Sequence, residues 1–363
     1  MRKEAATLTT FNVAAVYIGT LVGAGFASGQ EVLQFFSFFG LTGILALAAA
    51  TVMFVFYGMI VLELGRRLKA DSHREIMRYV GGPWLGSIVD AVITFFLFGA
   101  LTAMAAGTGA VFTEQLGLSG VLGSLVMIAI TLLTVLLGIQ GLINAISFVV
   151  PVLLISVLGV SVATLLVTPP DFDAISRVTQ PARAVVPYWP LAAVNYVSYN
   201  LVIGVPVLAS LGLLAKHPGI LRRGAVYGGL GLGIGALAIN LALLANFPEV
   251  ASYQIPMAYV VAQLSPVMRV VYIIALLTAI YSTAVGCLYG FVNRFTDHGR
   301  PAFTWWVIVT SVFAFGASQF GFTNLVRVLY PAVGYAGLLM LAGLLYGYLK
   351  ERLVPQPAYK PKK

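Results

Sequence analysis

Long apolar runs separated by short polar segments make up most of the chain, and their lengths predict membrane-spanning helices. A helix needs about 20 mostly apolar residues to cross the hydrocarbon core of a bilayer. Runs of that length predict ten spans, at residues 10–38, 41–65, 84–113, 119–138, 142–168, 188–214, 219–246, 266–292, 303–319 and 322–349. The pattern therefore predicts an all-α integral membrane protein with ten transmembrane helices in a single membrane domain, residues 1–363.

The composition agrees with lipid as the surrounding solvent and excludes several other classes of protein. Apolar residues make up 60% of the 363 residues and charged residues only 9%, whereas a soluble domain carries about 25% charged residues. The single cysteine, Cys287, excludes a disulfide framework and a thiolate metal cage. Because the sequence contains no Walker motif, metal-ligand cluster or nucleophile–base arrangement, we expect neither enzymatic activity nor a cofactor.

The basic residues predict the topology rather than nucleic-acid binding, although the net charge is +9. If the N-terminus is cytoplasmic, 17 of the 21 Lys and Arg residues fall in cytoplasmic segments, as the positive-inside rule requires. All 4 tryptophans begin predicted spans, where their rings favour the headgroup layer. We therefore expect a multi-pass protein of the cytoplasmic (inner) membrane with both termini cytoplasmic and residues 350–363 as a tail.

Predicted span 1 contains glycines around its centre and polar residues directly after them. Each glycine weakens a helix by up to about 1 kcal/mol relative to alanine, so the helix is expected to open here. Backbone groups freed at membrane depth are tolerated where they line a cavity or coordinate a ligand. The residues of this break that we expect to contact a substrate, its carboxylate in particular, are Gly23, Ala24, Gly25, Phe26, Ala27 and Ser28.

Predicted span 6 contains Pro206, which removes a helical hydrogen bond and crowds the carbonyl four residues earlier. A second interruption is therefore predicted between Ser198 and Pro206. Two broken helices five spans apart are typical of inverted-repeat transporters with a site near the midplane, so residues 10–168 and 188–349 are the expected repeats. The residues of this span expected to contact the substrate are Tyr196, Ser198, Tyr199 and Asn200.

GTLVGAGFASGQE at residues 19–31 and YVSYN at 196–200 resemble the YkvI-like family of bacterial membrane proteins. Members of that family are regarded as amino-acid permeases of the amino acid–polyamine–organocation superfamily, and the likeness covers nearly the whole chain. The layout of ten spans with breaks in helices 1 and 6 is similar to the LeuT-like five-plus-five inverted-repeat fold. The resemblance implies a secondary transporter that works by alternating access, with an amino acid as its small-molecule substrate.

Two short patterns resemble the sodium site that symporters of this fold share. Residues 19–25 match G-x-x-V-G-x-G, and residues 279–283 match A-x-x-[ST]-[ST]. The resemblance implies a Na⁺ ion held by neutral oxygens, which suit a hard cation. Its ligands would be the carbonyls of Gly19, Val22 and Ala279 and the hydroxyls of Ser282 and Thr283. Alternatively, the two hydroxyls bond carbonyls of their own helix, as hydroxyls in membrane helices commonly do.

Glu31 is the candidate functional charge because a carboxylate within a span is expensive to bury. Three roles remain open for it. It could close the outer vestibule through an ion pair with Arg327, it could carry a coupling proton or contact a substrate amine, or it could serve a structural hydrogen bond.

Two other acidic residues lie near the predicted inner ends of spans. Glu63 precedes Arg67 by four residues, which is the spacing of a helical salt bridge. Asp90 is expected to face loop residues such as Arg66 or Arg78, or to line an inner exit.

These features together favour a cation-coupled, and specifically Na⁺-coupled, amino-acid symporter. The alternatives are a proton-coupled permease that uses Glu31 and a channel or exporter of small solutes. An intramembrane enzyme or a receptor ranks below these because the inner loops are short and no catalytic constellation is present.

Overall fold

The computed structural model describes residues 8–70, 72–137, 155–177, 179–215, 217–296 and 300–353, and helices dominate these ranges. The beginning of predicted span 5 and the end of the predicted tail lie outside the described residues. In chain order the α-helices are α1 (Thr10–Leu21), α2 (Ala24–Ala27), α3 (Gln30–Phe35), α4 (Leu41–Leu68), α5 (His73–Leu116), α6 (Gly120–Leu137), α7 (Ile155–Val167), α8 (Phe172–Arg177), α9 (Trp189–Leu213), α10 (Pro218–Ala245), α11 (Pro256–Leu264), α12 (Pro266–Val292), α13 (Pro301–Ser318) and α14 (Phe322–Leu353).

Eight helices in the described part of the chain are long and apolar enough to cross a membrane: α4, α5, α6, α9, α10, α12, α13 and α14. Each corresponds to one predicted span. The largest difference in bounds is at α5, which begins at His73 because two helices join across a kink at Gly82. Gly82 has a φ of 75° there, a conformation that favours glycine. The shorter apolar helices α1 and α7 fall within predicted spans 1 and 5.

Small residues let the long helices approach one another closely. α4 packs against α9 and α10, and α14 packs against α5 and α9. A Cβ atom at Gly65 of α4 would overlap the Ala209 carbonyl of α9, and one at Gly212 would overlap the Leu62 carbonyl. Such contacts hold membrane helices together because lipid supplies no hydrophobic force between them.

The predicted break in span 1 is confirmed, and it divides the span into three helices. α1 ends at Leu21, and Val22 and Gly23 have extended backbone angles before α2 begins. Gly29 then separates α2 from α3 with a left-handed φ of 79°, which glycine adopts without strain. The backbone is therefore open at Val22 and Gly23, where the regular helical hydrogen bonds lapse.

The predicted interruption of span 6 is wrong, because α9 continues from Trp189 to Leu213 with Pro206 inside it. The proline removes one backbone donor, but neighbouring helices enclose this stretch. The Asn195 amide donates to the Pro331 carbonyl of α14 at 3.1 Å, and the Ser198 hydroxyl donates to the Gly334 carbonyl at 2.7 Å. Around Pro206 itself, Gly204, Val205 and Leu208 are buried, and a missing helical bond is tolerated in a membrane helix that neighbouring helices enclose.

Candidate functional site

A cavity of about 210 Å³ lies beside the break between α1 and α2. Residues 19–25 form one wall, and α5, α9, α12 and α14 supply the others. Of the ten residues predicted to contact a substrate, five line this cavity: Gly23, Ala24, Gly25, Tyr199 and Asn200. The cavity therefore brings the opened backbone of span 1 together with side chains from span 6.

Three of the predicted substrate contacts do not line the cavity: Phe26, Ala27 and Ser28. Hydrogen bonds within α2 and with α12 occupy polar backbone groups of Ala27 and Ser28. The amides of Ala27 and Ser28 donate within the turn, to the carbonyls of Gly23 and Ala24. The Ala27 carbonyl accepts from the Tyr272 hydroxyl at 2.6 Å. These bonds fix α2 against α12 and occupy the amides of Ala27 and Ser28, which are therefore not free for a substrate carboxylate.

Tyr196 and Ser198 also lie outside the cavity lining, although both were predicted to contact the substrate. The Tyr196 ring packs edge-on against Phe36 with the ring centroids 4.8 Å apart. Ser198 faces α14, where it bonds the Gly334 carbonyl. Because α9 is a continuous helix, Ser198 points to another side of it than Tyr199 and Asn200. Tyr196 shares the side of Tyr199, with the two ring centroids 5.4 Å apart, and its packing against Phe36 keeps it out of the cavity lining.

All five predicted sodium ligands line this one cavity: Gly19, Val22, Ala279, Ser282 and Thr283. The Val22 carbonyl accepts no backbone hydrogen bond from a described residue, and the Gly23 amide does not donate to Gly19. The Ser282 hydroxyl donates to the Ala279 carbonyl at 2.9 Å, the intrahelical bond that was the alternative interpretation. The five residues that carry the predicted oxygens therefore share one cavity. Their role as sodium ligands stays a prediction.

Glu31 is buried beside this space and accepts a hydrogen bond from the Tyr199 hydroxyl. The ion pair with Arg327, one of the three roles left open for Glu31, does not form. The physical reason is the difference in burial, because Arg327 is exposed on α14 whereas the Glu31 carboxylate is buried and bonded to Tyr199. Tyr330, about one turn after Arg327, is buried and lines the cavity.

Tyr330 and Phe96 complete an aromatic wall next to Glu31. Tyr330 stacks on Tyr199 with ring centroids 5.1 Å apart and planes at 30°, and Phe96 lies 5.8 Å from Tyr330. Tyr330 was not among the site residues predicted from the sequence. Its position directly before Pro331, inside predicted span 10, is a signal of its place at membrane depth.

The two ends of the cavity differ. On one side, a second cavity of about 270 Å³ shares Phe96, Leu97 and Ile203 with the first and continues to Arg294. On the other side, Gln30 and Gln34 of α3 donate to the side chain and carbonyl of Thr323 at 3.0 and 3.1 Å. The space therefore extends towards Arg294 and is closed by hydrogen bonds near the start of α14.

The end of the molecule that carries Arg294 is stabilised by a charge cluster centred on Asp90. Asp90 accepts hydrogen bonds from Arg294, which lies just after α12, and from Arg74, the latter at 2.6 Å, and the His73 Nε2 atom lies 3.2 Å away. The prediction that Asp90 faces Arg66 or Arg78 is wrong, because the kinked start of α5 brings Arg74 back to Asp90.

The helical salt bridge predicted for Glu63 is confirmed. Its carboxylate contacts Arg67 at 2.7 Å, and Arg66 shares the same oxygen, also at 2.7 Å.

The fold and this cavity define a multi-pass membrane protein of the LeuT-like fold. The structure resembles Mhp1, a nucleobase-cation-symport-1 family transporter with bromovinylhydantoin bound, with a TM-score of 0.63 and 15% identity over 96% of this chain and 79% of that chain. It also resembles MhsT in complex with L-phenylalanine, with a TM-score of 0.57 and 16% identity over 96% and 93%. For a Na⁺-coupled sialic acid symporter the TM-score is 0.57 at 13% identity, over 97% and 91%.

The sequence comparison identifies the family. The chain is 31% identical to the membrane protein YkvI of Bacillus subtilis (strain 168) over 336 residues, which cover 92% of this chain and 94% of that protein. It is 30% identical to the protein YyaD of the same organism over 330 residues, 90% of this chain and 94% of that protein. No family model matches the chain. The chain belongs to the YkvI family of membrane proteins.

Proposed function

We propose that this protein is a secondary active transporter, a Na⁺-coupled amino-acid symporter that works by alternating access. The observation that carries the proposal is the single cavity at the break in span 1, which is lined by all five predicted sodium ligands and by Glu31. Solved transporters that share the fold support it, since their ligands include L-phenylalanine and their coupling ions include Na⁺.

The proposed ion links a broken helix to an unbroken one. Carbonyls of Gly19 and Val22 would hold Na⁺ from the end of α1, and the Ser282 and Thr283 hydroxyls would hold it from α12. Because these ligands are neutral, binding of the ion adds one positive charge to the cavity. An ion that joins two helices favours the conformation in which both sets of oxygens can reach it, which couples its binding to the movement of α1.

The proposed membrane architecture is the one that the LeuT-like fold implies. Ten membrane-spanning helices would form two inverted repeats, residues 10–168 and 188–349, with both termini in the cytoplasm. The end of the cavity near Arg294 would then face the cytoplasm, and the hydrogen bonds of Gln30 and Gln34 with Thr323 would close the outer side. Substrate would leave inward past Phe96 and Ile203, which line both cavities.

A second candidate is a proton-coupled permease. The observation in its favour is the buried Glu31 carboxyl group, which lines the cavity and can exchange a proton there. In that version the proton takes the place of Na⁺ as the coupling ion, and the hydroxyls of Ser282 and Thr283 keep bonds within α12.

The experiment is uptake into liposomes that contain the purified protein. Labelled amino acids are supplied with an inward Na⁺ gradient, an inward H⁺ gradient or neither. The proposal predicts Na⁺-dependent uptake that is abolished when Ser282→Ala and Thr283→Ala are combined. Uptake driven by H⁺ alone and lost in Glu31→Gln would instead establish the second candidate, and no uptake of any amino acid would contradict the proposed substrate.

A further inference from the structure

The cavity carries a single ionisable acid and no basic residue among the residues that line it. Glu31 has 5% of its surface exposed and forms no ion pair with any residue that the structure describes. The nearest basic residue along the cavities, Arg294, lines only the second one and is paired with Asp90. The charge of Glu31 is therefore left for a ligand to neutralise, since a buried carboxylate is costly without a partner.

The carboxylate is oriented by two neighbours. Its Oε2 atom accepts from the Tyr199 hydroxyl, and its Oε1 atom occupies the place that a Cβ atom at Gly25 would take. Gly25 lies in α2, directly after the opened backbone of span 1, and lines the cavity. The missing side chain at Gly25 thus lets the carboxylate reach the backbone of the break, at the edge of the space available to a solute.

Aromatic rings surround the same position. Tyr199 and Tyr330 stack at 5.1 Å, and Phe96 contacts Tyr330 at 5.8 Å. Aromatic faces attract organic cations through the ring quadrupole, and a carboxylate attracts the same ligands through charge and charge-assisted hydrogen bonds. The two kinds of group together favour an ammonium and disfavour a solute that carries only negative charge.

We infer that Glu31, with the rings of Tyr199, Tyr330 and Phe96, forms a receptor for the positively charged amine of the transported solute. The inference rests on the proposed function and deepens it, because it assigns the residues that hold the amine of the substrate. It assigns Glu31 to substrate binding, in place of a gate with Arg327 or a carrier of the coupling proton. A volume of about 210 Å³ restricts the ligand to a small molecule.

Cys287 provides a test that needs no knowledge of the substrate. It is the 1 cysteine of the chain, and it lines the same cavity as Glu31. Three methanethiosulfonate reagents would be applied to the purified full-length protein: a cationic aminoethyl, an anionic sulfonatoethyl and a neutral methyl reagent. Mass spectrometry gives the rate of modification for each reagent, and each rate is divided by the rate with a free small thiol.

A cavity lined by one sign of charge raises the local concentration of counter-ions by about 10-fold or more. We therefore expect the normalised rate of the cationic reagent to exceed that of the anionic reagent by at least about tenfold in the wild type. Glu31→Gln should remove this preference, because it keeps the shape and loses the charge. Glu63→Gln is the matched control, since Glu63 lies outside this cavity and its loss should leave the preference unchanged.

Equal normalised rates for the two charged reagents would overturn the inference, as would a preference that persists in Glu31→Gln. Failure of even the neutral reagent to modify Cys287 would also overturn it, because the cavity would then admit no solute. If Glu31→Gln does not fold, the ratio of the cationic to the anionic rate in the wild type alone decides whether the inference holds. A cationic preference without gradient-driven uptake would contradict the proposed function only, whereas gradient-driven uptake of an amino acid without a cationic preference at Cys287 would contradict only the inference.

Discussion

The Gly25 backbone and the Glu31 carboxylate occupy adjoining space so closely that any Cβ atom at position 25 would overlap Glu31 Oε1. This contact connects the broken backbone of span 1 to the one acidic side chain of the cavity. Glycine at position 25 therefore has a steric role that its weak helix propensity does not reveal. The position of Glu31, and with it the proposed amine site, depends on this missing side chain.

Gly25→Ala is expected to displace the Glu31 carboxylate from the cavity edge. We predict that it abolishes uptake and lowers the free energy of unfolding by about 1–3 kcal/mol, the usual cost of an overpacked buried site. Uptake into liposomes and the melting temperature of the purified protein measure the two effects. Gly286→Ala is the control, because a Cβ atom at Gly286 would meet open space. Normal uptake by Gly25→Ala would show that the position of Glu31 is unimportant.

Tyr199→Phe removes the hydroxyl that orients Glu31 and keeps the aromatic ring. Loss of a hydrogen bond to a charged group costs about 1.5–3 kcal/mol, so KM for the transported solute should rise by roughly tenfold or more. Tyr281→Phe provides a matched control, because the Tyr281 hydroxyl bonds Thr134 at 2.7 Å and lies outside the cavity lining. An unchanged KM in Tyr199→Phe, or an equal rise in both variants, would argue against the role given to Tyr199.

Thr283→Val tests the sodium ligands with little change of shape. We predict that NaCl raises the melting temperature of the wild type above that in KCl, as expected for a ligand that binds the native state, and that Thr283→Val loses this difference. Thr278→Val, one turn earlier on α12, is the comparison, since the Thr278 hydroxyl is bonded to the Ile274 carbonyl at 2.7 Å. A Na⁺ effect that survives in Thr283→Val and disappears in Thr278→Val would place the ion elsewhere.

Asp90→Asn breaks the charge cluster that joins the start of α5 to the end of α12. Two arginines then lose their carboxylate partner, and we predict a loss of stability of about 1–3 kcal/mol, read as a lower melting temperature. Glu63→Gln should cost less, roughly 0.3–0.5 kcal/mol for each pair, because both of its partners lie on its own helix. A larger effect of Glu63→Gln than of Asp90→Asn would contradict this comparison.

The sequence was sufficient to predict the positions of the eight long apolar helices among the described residues, because an apolar run of membrane length has few alternatives. It also predicted the break in span 1, since several glycines followed by polar residues cannot continue a stable helix in lipid. The partners of Asp90 and Glu31 could not be predicted. They depend on the kink at Gly82 and on the way α3 packs against α9 and α14, and both are set by tertiary packing.

The prediction for span 6 failed for a related reason. Pro206 removes one backbone donor, yet α9 remains continuous, with Gly204, Val205 and Leu208 buried around the proline. Earlier in α9, Asn195 and Ser198 bond carbonyls of α14. Those same bonds direct Ser198 away from the cavity, so one error about backbone structure also misplaced a predicted substrate contact. The five sodium-ligand positions share one cavity, and their role stays a prediction.

Concentrative uptake tests the central proposal most directly. Liposomes with the protein are loaded with K⁺ and diluted into Na⁺ and a labelled amino acid, and the internal concentration is followed with and without an ionophore that dissipates the Na⁺ gradient. A coupled transporter accumulates the solute above its external concentration, and the ionophore releases the excess. Uptake that only reaches the external concentration, and that the ionophore does not alter, would contradict coupled transport and indicate a channel.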